Sequence, residues 1–405
     1  MNSVSKFALG AALALIATVP AAAQRTPHQT SPFNKSERAA ILALKTALDT
    51  KNYPAATSAL QSAQSAASSA EARYIASALQ LRLGIETQNQ GLQSTAIDSM
   101  ISSGVAPPSE LPLLYRSQGT LLLQAGKYER AEAVLTRAAE LNATDPELLL
   151  ALAEIKAIRK KHQEVVPLME RAIAVRRTAG QPVPESWYKR ATAVALANRA
   201  LPQATRFSRE LVAAYPTQEN WRDAVLVHRD AAAADPVARI DALRLQRATK
   251  SLAGERDYLE LAQGLSAAGL DVEAKAVLDQ GVAANMVDPG KATFKELITE
   301  TGKKAVADRK ALAGLESKAL AASTGTAALS AADAYLAAGD YGKAATLYQA
   351  AVQKGSVDPS LAGTRLGIAH ALAGRRAEAE AAFRTFSGPR AELASLWLVW
   401  LSQRE

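Results

Sequence analysis

The side chains that could perform chemistry are few and scattered. The chain of 405 residues has no cysteine and four histidines, and no pair of histidines forms a His-Glu-x-x-His motif. The sequence contains neither the Gly-x-Ser-x-Gly motif of a serine nucleophile nor the Gly-x-x-x-x-Gly-Lys-Ser/Thr motif of a phosphate-binding loop. We therefore predict no catalytic residue, no metal site and no cofactor, and we predict that the protein is not an enzyme.

One pair of carboxylates could share a helix face. Glu147 and Glu154 are seven residues apart in the sequence, which places them about 10 Å apart along one side of an α-helix. General acid–base catalysis would require one of them to be buried and to have a raised pKa. A surface helix keeps both groups in water, so two ordinary ionised carboxylates are the better interpretation.

A short motif occurs twice, once before the middle of the chain and once near its end. Residues 126–131 read Gly-Lys-Tyr-Glu-Arg-Ala, and residues 339–344 read Gly-Asp-Tyr-Gly-Lys-Ala. Before the first copy, the spacing of Tyr115, Gly119 and Leu122 puts them on one face of a helix. A small residue at position 119 lets two helices approach closely. No run of alternating apolar and polar residues predicts a β-strand.

This pattern resembles the tetratricopeptide repeat. The resemblance implies an all-α fold in which helix-turn-helix repeats of about 34 residues stack into a right-handed α-solenoid. We expect this solenoid over residues 37–388, with about ten repeats, of which 217–250 and 288–324 match poorly and are interpreted as divergent. Residues 389–405 predict a final helix that caps the last repeat. An amphipathic contact with a membrane or a partner is the alternative, but the polar face has no run of cations.

The resemblance also implies a binding groove. In the family, the first helix of each repeat lines a concave groove that suits an extended peptide or an apolar helix. Only Arg116 and Arg190 fall at the positions of the family's carboxylate clamp, so no clamp is predicted. For any single candidate, an ordinary solvated side chain is the alternative. The candidate partner-binding residues, carried over by position, are Arg116, Thr120, Leu123, Glu147, Leu150, Glu154, Lys189, Arg256, Leu259, Gln263, Leu329 and Asp333.

The amino terminus has the pattern of a secretory signal peptide. Lys6 is followed by an apolar run and then by Pro20 and three alanines at 21–23, as in a signal that is cleaved after a small residue. We predict a signal peptide over residues 1–23 and a flexible leader over 24–36; an uncleaved anchor is the alternative. The lack of cysteine excludes a lipid-anchored form. These features favour a bacterial periplasmic or secreted protein with no stable membrane insertion after cleavage.

Positive charge is concentrated in one stretch. The formal net charge is +8, and residues 154–209 contain twelve Lys and Arg against four Glu. Two interpretations are open, a solubilising surface and a docking surface for an anionic partner. Nucleic acid is disfavoured, because aromatic residues for base stacking are not interleaved with the cations. We predict a non-enzymatic periplasmic scaffold that binds a protein or peptide in its groove. The alternative is an accessory protein of envelope polysaccharide export, or a glycan-binding protein.

Overall fold

The computed structural model describes residues 33–231, 235–385 and 389–404, and over these residues it contains α-helices and no β-strand. The predicted all-α class is therefore confirmed. The chain divides into unit 1, Met1–Val183, and unit 2, Pro184–Glu405. The described helices of unit 1 are α1 (Lys35–Asp49), α2 (Tyr53–Ala66), α3 (Ala70–Glu86), α4 (Gln90–Ser102), α5 (Leu111–Gln124), α6 (Tyr128–Leu141), α7 (Pro146–Ile158) and α8 (His162–Thr178).

Unit 2 contains the remaining described helices. They are α9 (Glu185–Ala197), α10 (Leu201–Ala214), α11 (Gln218–Ala231), α12 (Pro236–Ala248), α13 (Gly254–Ala267), α14 (Asp271–Ala283), α15 (Ala292–Ala321), α16 (Thr326–Ala338), α17 (Tyr341–Lys354), α18 (Pro359–Leu372), α19 (Arg376–Phe383) and α20 (Pro389–Ser402).

Most helices pack in pairs joined by a short turn. In unit 1 the pairs are α1 with α2, α3 with α4, α5 with α6 and α7 with α8, and each pair also contacts the next. In unit 2 the corresponding pairs are α9 with α10, α13 with α14, α16 with α17 and α18 with α19. Within each unit, stacked helical hairpins of this kind are the architecture of an α-solenoid, as the sequence predicted.

The turn inside each hairpin has a common backbone conformation. Between α5 and α6, Gly126 has a φ of 72°, and the N–H of Lys127 donates to the carbonyl of Leu122 at 2.9 Å. This is a Schellman-type helix end, which places one residue in the left-handed region. Glycine adopts that region without strain, but four other hairpin turns have a longer side chain at the same point. Those residues are Lys51, Gln88, Lys160 and Arg199.

Close packing inside a hairpin depends on a missing side chain. A Cβ atom added to Gly119 on α5 would lie 2.4 Å from Cδ2 of Leu135 on α6. Leu135 has no exposed surface, so its side chain has no free space to move into. On α18, a Cβ at Gly367 would lie 2.4 Å from the ring of Phe383. The small residue that the motif requires therefore sets the distance between the two helices.

The substitution Gly119→Leu is expected to lower the free energy of unfolding by about 1–3 kcal/mol, because it overpacks the contact with Leu135. Urea unfolding followed by circular dichroism measures the loss. The matched control is Gly314→Leu on α15, where an added Cβ would meet no atom within 4 Å. That change should be neutral or slightly stabilising, because leucine favours a helix more than glycine does. An equal loss in both variants would contradict the proposed packing.

Two predicted divergent repeats have different structures. Residues 288–324 are not a hairpin: they contain one helix of 30 residues, α15, which packs between α14 and α16. The expected turn is absent because no left-handed residue or proline interrupts the helix between its ends. Residues 217–250 do contain two helices, α11 and α12, which contact each other. Eight hairpins and the α11–α12 pair are found among the described helices, and the estimate from the sequence was about ten repeats.

The final helix is more than a cap. Helix α20 lies against α18 and α19, as predicted, but it also contacts α10 and α12. Arg390 near its start pairs with Asp235 at 3.1 Å, and Gln403 just after its end donates to the carbonyl of Val212 at 2.7 Å. Its apolar residues, including Trp397, are buried in one core with residues of α10, α11 and α12. Unit 2 is therefore closed by contacts between its early and late helices.

The predicted signal peptide, 1–23, lies outside the described residues. Helix α1 begins at Lys35, two residues before the predicted start of the solenoid, and Asn34 and Glu37 form a capping box at its start. Glu37 is buried, and its carboxylate also accepts hydrogen bonds from the N–H groups of Ser68 and Ser69. Within the part of the chain that the structure describes, every helix is too short or too polar to cross a bilayer.

Candidate partner-binding faces

Five predicted groove residues lie on two neighbouring helices of unit 1. Arg116 and Thr120 are on α5, Glu147, Leu150 and Glu154 are on α7, and the two helices contact each other. All five keep part of their surface exposed. We call this set the α5/α7 face. It combines an apolar side chain, a hydroxyl and charges of both signs, which are the groups that bind an extended peptide.

Arg116 is held in place on the α5/α7 face. Its Nη1 lies 2.8 Å from Oδ2 of Asp145, and both side chains are less than one-fifth exposed. Asp145 is also the N-cap of α7, where its other oxygen accepts from the N–H groups of Glu147 and Leu148. This arrangement fixes the guanidinium and stabilises the start of α7 at the same time. Arg116 therefore has a structural role that the sequence did not predict.

Leu123 does not belong to the face. Its side chain is 8% exposed and packs in a core with Ala131, Leu135 and Leu148. The prediction that it lines a groove is wrong, because its side chain is buried in this core. Glu147, in contrast, is exposed and lies 3.4 Å from Nη1 of Arg176 on α8.

Three cations of the basic stretch converge on one buried carboxylate in unit 1. Glu132 on α6 is 8% exposed, and its Oε1 lies 2.7 Å from Nζ of both Lys156 and Lys161. Arg159 donates to its other oxygen. Burial alone would raise the pKa of Glu132, but the hydrogen bonds and charges of these cations outweigh burial and lower the pKa to about 2. These three cations are therefore a structural cluster.

The stability of unit 1 should depend on the protonation of Glu132. Because the folded pKa of about 2 lies below the ordinary value of 4.5, this group stabilises the fold above pH 4.5, and that contribution is lost as the pH falls towards 2. We expect the urea midpoint of Glu132→Gln to change less between pH 5 and pH 2 than that of the parent chain. Glu129→Gln is the control, because Glu129 is 86% exposed and should follow the parent. Parallel pH profiles of the parent and Glu132→Gln would contradict the assignment.

The predicted groove residues at the start of unit 2 remain at the surface. Lys189 on α9 lies 3.0 Å from Glu185 and 3.7 Å from Glu219, and the hydrogen bond with Glu185 raises the pKa of Lys189. On α13, Arg256 and Gln263 are exposed, while Leu259 is half-buried against the α13–α14 core.

The later groove residues of unit 2 contact the protein itself. Leu329 on α16 packs against the core that α10 to α12 share with α16 to α20. Asp333, also on α16, accepts a hydrogen bond from the hydroxyl of Tyr348 and pairs with Nη1 of Arg365 at 2.7 Å. Both partner side chains are buried. Asp333 keeps part of its surface exposed, but its carboxylate is already engaged by other helices of the same unit. Its place in a groove stays a prediction.

Arg365 links Asp333 to a buried ionic network on α12. Asp241 has no exposed surface and accepts from Nη1 of Arg244 at 2.8 Å and from Nε of Arg365 at 3.2 Å. Arg244 also donates to Glu273 on α14 at 2.6 Å. Burial alone would lower the pKa of Arg244, but the charges of Glu273 and Asp241 raise it. The network joins α12, α14, α16 and α18, and the sequence analysis missed it.

The histidines that the structure describes are separate from one another. His162 is exposed at the start of α8, while His228 is buried, which lowers its pKa to about 4. His370 is half-buried, and burial also lowers its pKa. Within the described ranges, no group of three His, Asp or Glu side chains lies close enough to hold a metal ion.

The comparisons with known proteins agree with this architecture. The tetratricopeptide-repeat model matches residues 112–155, which contain most of α5, all of α6 and most of α7. Helical hairpins of this kind define a class of repeat proteins that present extended binding surfaces. Within that class, residues 112–155 match the tetratricopeptide repeat, and the neighbouring hairpins have the same helix-turn-helix arrangement. No curated protein matches the sequence.

Several solved structures align with parts of this chain at low identity. The C-terminal part of a repeat-containing protein from Cytophaga hutchinsonii covers 67% of this chain and 94% of its own, with 12% identity and a TM-score of 0.38. A tetratricopeptide-repeat protein from Parabacteroides merdae covers 66% and 99%, with 15% identity and a TM-score of 0.36. PilW, a type IV pilus biogenesis factor, covers 46% and 81%, with 16% identity and a TM-score of 0.34.

Proposed function

We propose that the protein is a non-enzymatic scaffold and that the α5/α7 face of unit 1 binds a peptide segment of a partner protein. The observation that carries this proposal is the set of part-exposed, chemically mixed side chains on two adjacent first helices of the repeats. Leu150 offers apolar contact, Thr120 and Glu154 offer polar groups, and Arg116 is already fixed by Asp145. Side chains that are fixed before binding lose less conformational entropy on binding.

The partner need not be anionic. The cations Lys156, Arg159 and Lys161 are balanced by three carboxylates, those of Glu129, Glu132 and Glu164, so they offer little free charge to a partner. The α5/α7 face itself carries Arg116, which is paired, and two carboxylates. We therefore expect apolar and hydrogen-bonding contacts to contribute more to the affinity than long-range attraction, and we expect binding to depend only weakly on salt.

Photocrosslinking from a single position tests the face. A photoreactive amino acid at position 150 should crosslink a discrete partner in cells, because this side chain lies at the centre of the proposed contact. The control position is 141 on α6, where Leu141 is 41% exposed on the second helix of its hairpin. Crosslinks of equal yield from both positions, or from position 141 alone, would place the binding site elsewhere.

The substitution Leu150→Lys should then abolish capture of that partner. It places a charge in the apolar part of the contact, and its expected cost in stability is small because the side chain is only half-buried. Leu141→Lys makes the same chemical change on α6 and should leave capture intact. Unchanged capture by Leu150→Lys, with both variants folded by circular dichroism, would contradict the proposed face.

We further propose that the chain is exported to a bacterial periplasm. The support is the charged start, the short apolar run and the small residues up to Ala23. Mass spectrometry of the protein released by osmotic shock should find a mature amino terminus at Gln24. Replacing Ala23 with tyrosine should block cleavage and leave a longer chain with the membrane fraction. Recovery of the parent protein with residues 1–23 intact would contradict export by this route.

A further inference from the structure

Unit 2 contains a pocket that has no role in the proposed binding of a peptide. Its volume is about 380 Å³, and helices α12, α14, α15, α16 and α18 supply most of its lining. This volume lies within the range of about 300–1,000 Å³ that is typical of small-molecule sites. The pocket is formed by residues of unit 2, and the α5/α7 face by residues of unit 1. Its ligand would therefore be a small molecule and not the peptide partner.

The charges around the pocket are unbalanced. Four cations line it, Arg244, Arg247, Lys250 and Arg309, but only one carboxylate, that of Glu273. Glu273 is already engaged by Arg244, which donates to both of its oxygens. The pocket therefore carries an excess of positive charge that the carboxylate on its own wall does not neutralise.

Two of the cations have no ion-pair partner in the described part of the chain. Lys250, in the turn after α12, and Arg309, on α15, are exposed and lie within 4 Å of no carboxylate there. Arg247 donates to the side-chain oxygen of Gln280 and lies 3.9 Å from Glu273. Cations brought together from three parts of the unit repel one another, and an anion in the pocket would relieve that repulsion.

Apart from the charged residues and Gln280, most of the lining is apolar. Val272, Ala276, Leu336 and Leu372 contribute hydrocarbon surface, and Tyr341 adds an aromatic ring. A ligand that fills this space needs an apolar body as well as an anionic group. A phosphomonoester provides a dianion that matches several cations at once, and arginine binds its oxygens through paired N–H groups.

We propose that this pocket binds a small phosphomonoester with an apolar body, with the phosphate held by Arg247, Lys250 and Arg309. Isothermal titration calorimetry of the full chain with phenyl phosphate should show one site at millimolar or lower concentration. Benzoate, which has one negative charge, and inorganic phosphate, which has no apolar body, should each bind more weakly. Higher salt should weaken the binding, because the cations lie near the surface.

Matched variants distinguish binding in this pocket from general attraction of an anion to a positively charged surface. Arg309→Gln and Lys250→Gln should each weaken phenyl phosphate about tenfold, as expected for the loss of one charge-assisted contact. Lys310→Gln removes the same charge from the residue next to Arg309, but position 310 does not line the pocket, so binding should not change. Arg309→Lys keeps the charge and should keep most of the affinity.

The opposite results would overturn the proposal. No heat with phenyl phosphate at millimolar concentration would exclude the site. Equal losses in Arg309→Gln and Lys310→Gln would show attraction to a positive surface without a pocket. Benzoate binding as tightly as phenyl phosphate would exclude recognition of a dianion, and inorganic phosphate binding as tightly would exclude a role for the apolar lining. All the substituted side chains are exposed or half-buried, so circular dichroism should find each variant folded.

Discussion

Replacing Asp241 with alanine is expected to lower the free energy of unfolding of unit 2 by about 3–5 kcal/mol, the cost of breaking a buried ion pair on one side. Asp241 has no exposed surface and accepts hydrogen bonds from Arg244 and Arg365. Arg390 on α20 approaches its second oxygen to 3.4 Å. Without this carboxylate, Arg244 keeps Glu273 and Arg365 keeps Asp333, but three cations would face one another around an empty space. Urea unfolding at pH 7 measures the loss.

An exposed pair in the same unit supplies the control. Asp279 on α14 pairs with Lys275 one helical turn away, and the Asp279 side chain is 58% exposed. Asp279→Ala should cost less than about 0.5 kcal/mol, because water screens such a pair. If Asp241→Ala cost no more than Asp279→Ala, the network would not be a source of stability. Arg365→Met should also lower the free energy of unfolding. If the double variant of Asp241 and Arg365 loses no more than Asp241→Ala alone, both residues act through one network.

Replacing Trp397 with alanine is expected to destabilise unit 2 by about 3–5 kcal/mol, the usual cost of truncating a buried aromatic residue. Trp397 has no exposed surface. Its ring stacks on Phe383 of α19 at a centroid distance of 6.2 Å and meets the edge of Trp400 at 5.2 Å. Alanine would leave a cavity where α20 meets the rest of the unit. Thermal unfolding should show a lower midpoint and, through loss of α20, earlier exposure of the unit to protease.

The conservative variant Trp397→Phe keeps most of the ring packing and removes the indole N–H. The indole N–H of Trp397 is buried, and no hydrogen-bond acceptor is found for it among the described residues. Phenylalanine removes that unpaired donor and keeps most of the ring, so the loss should be less than half of that in Trp397→Ala. Leu320→Ala, at a residue that is 64% exposed, should be close to neutral. Equal losses in the phenylalanine and alanine variants would contradict this account of the contact.

The repeat architecture could be predicted because its requirements are local. Tyr115, Gly119 and Leu122 stand on one helix face, and Gly126 marks the turn, so neighbouring residues contain the whole signal. Hairpins without a glycine at the turn gave a weaker signal. Lys160 and Arg199 adopt the same left-handed conformation as Gly126, and tertiary packing must hold them there because their own preference does not.

The buried ionic network of unit 2 could not be predicted in the same way. The ion pair of Asp241 with Arg365 joins residues 124 positions apart, and no repeat pattern encodes such a pair. Asp241 and Arg244 stand among Ala242, Leu243 and Leu245 on a helix that matches the repeat poorly. The charged residues within this apolar run were the only sequence feature that could have indicated a buried ion pair. For the same reason, nothing in the sequence indicated that Asp333 pairs with Arg365.

The contacts of α20 have a consequence for how this protein can change during evolution. An open array of repeats tolerates the gain or loss of a hairpin, because each repeat touches only its neighbours. In unit 2, Arg209 on α10 pairs with Glu392 on α20 at 2.5 Å, across 183 positions of sequence. A duplicated or deleted hairpin between them would move these two helices apart. The number of repeats in unit 2 should therefore stay constant among its descendants, whereas the contacts between the described helices of unit 1 join near neighbours and do not fix a number.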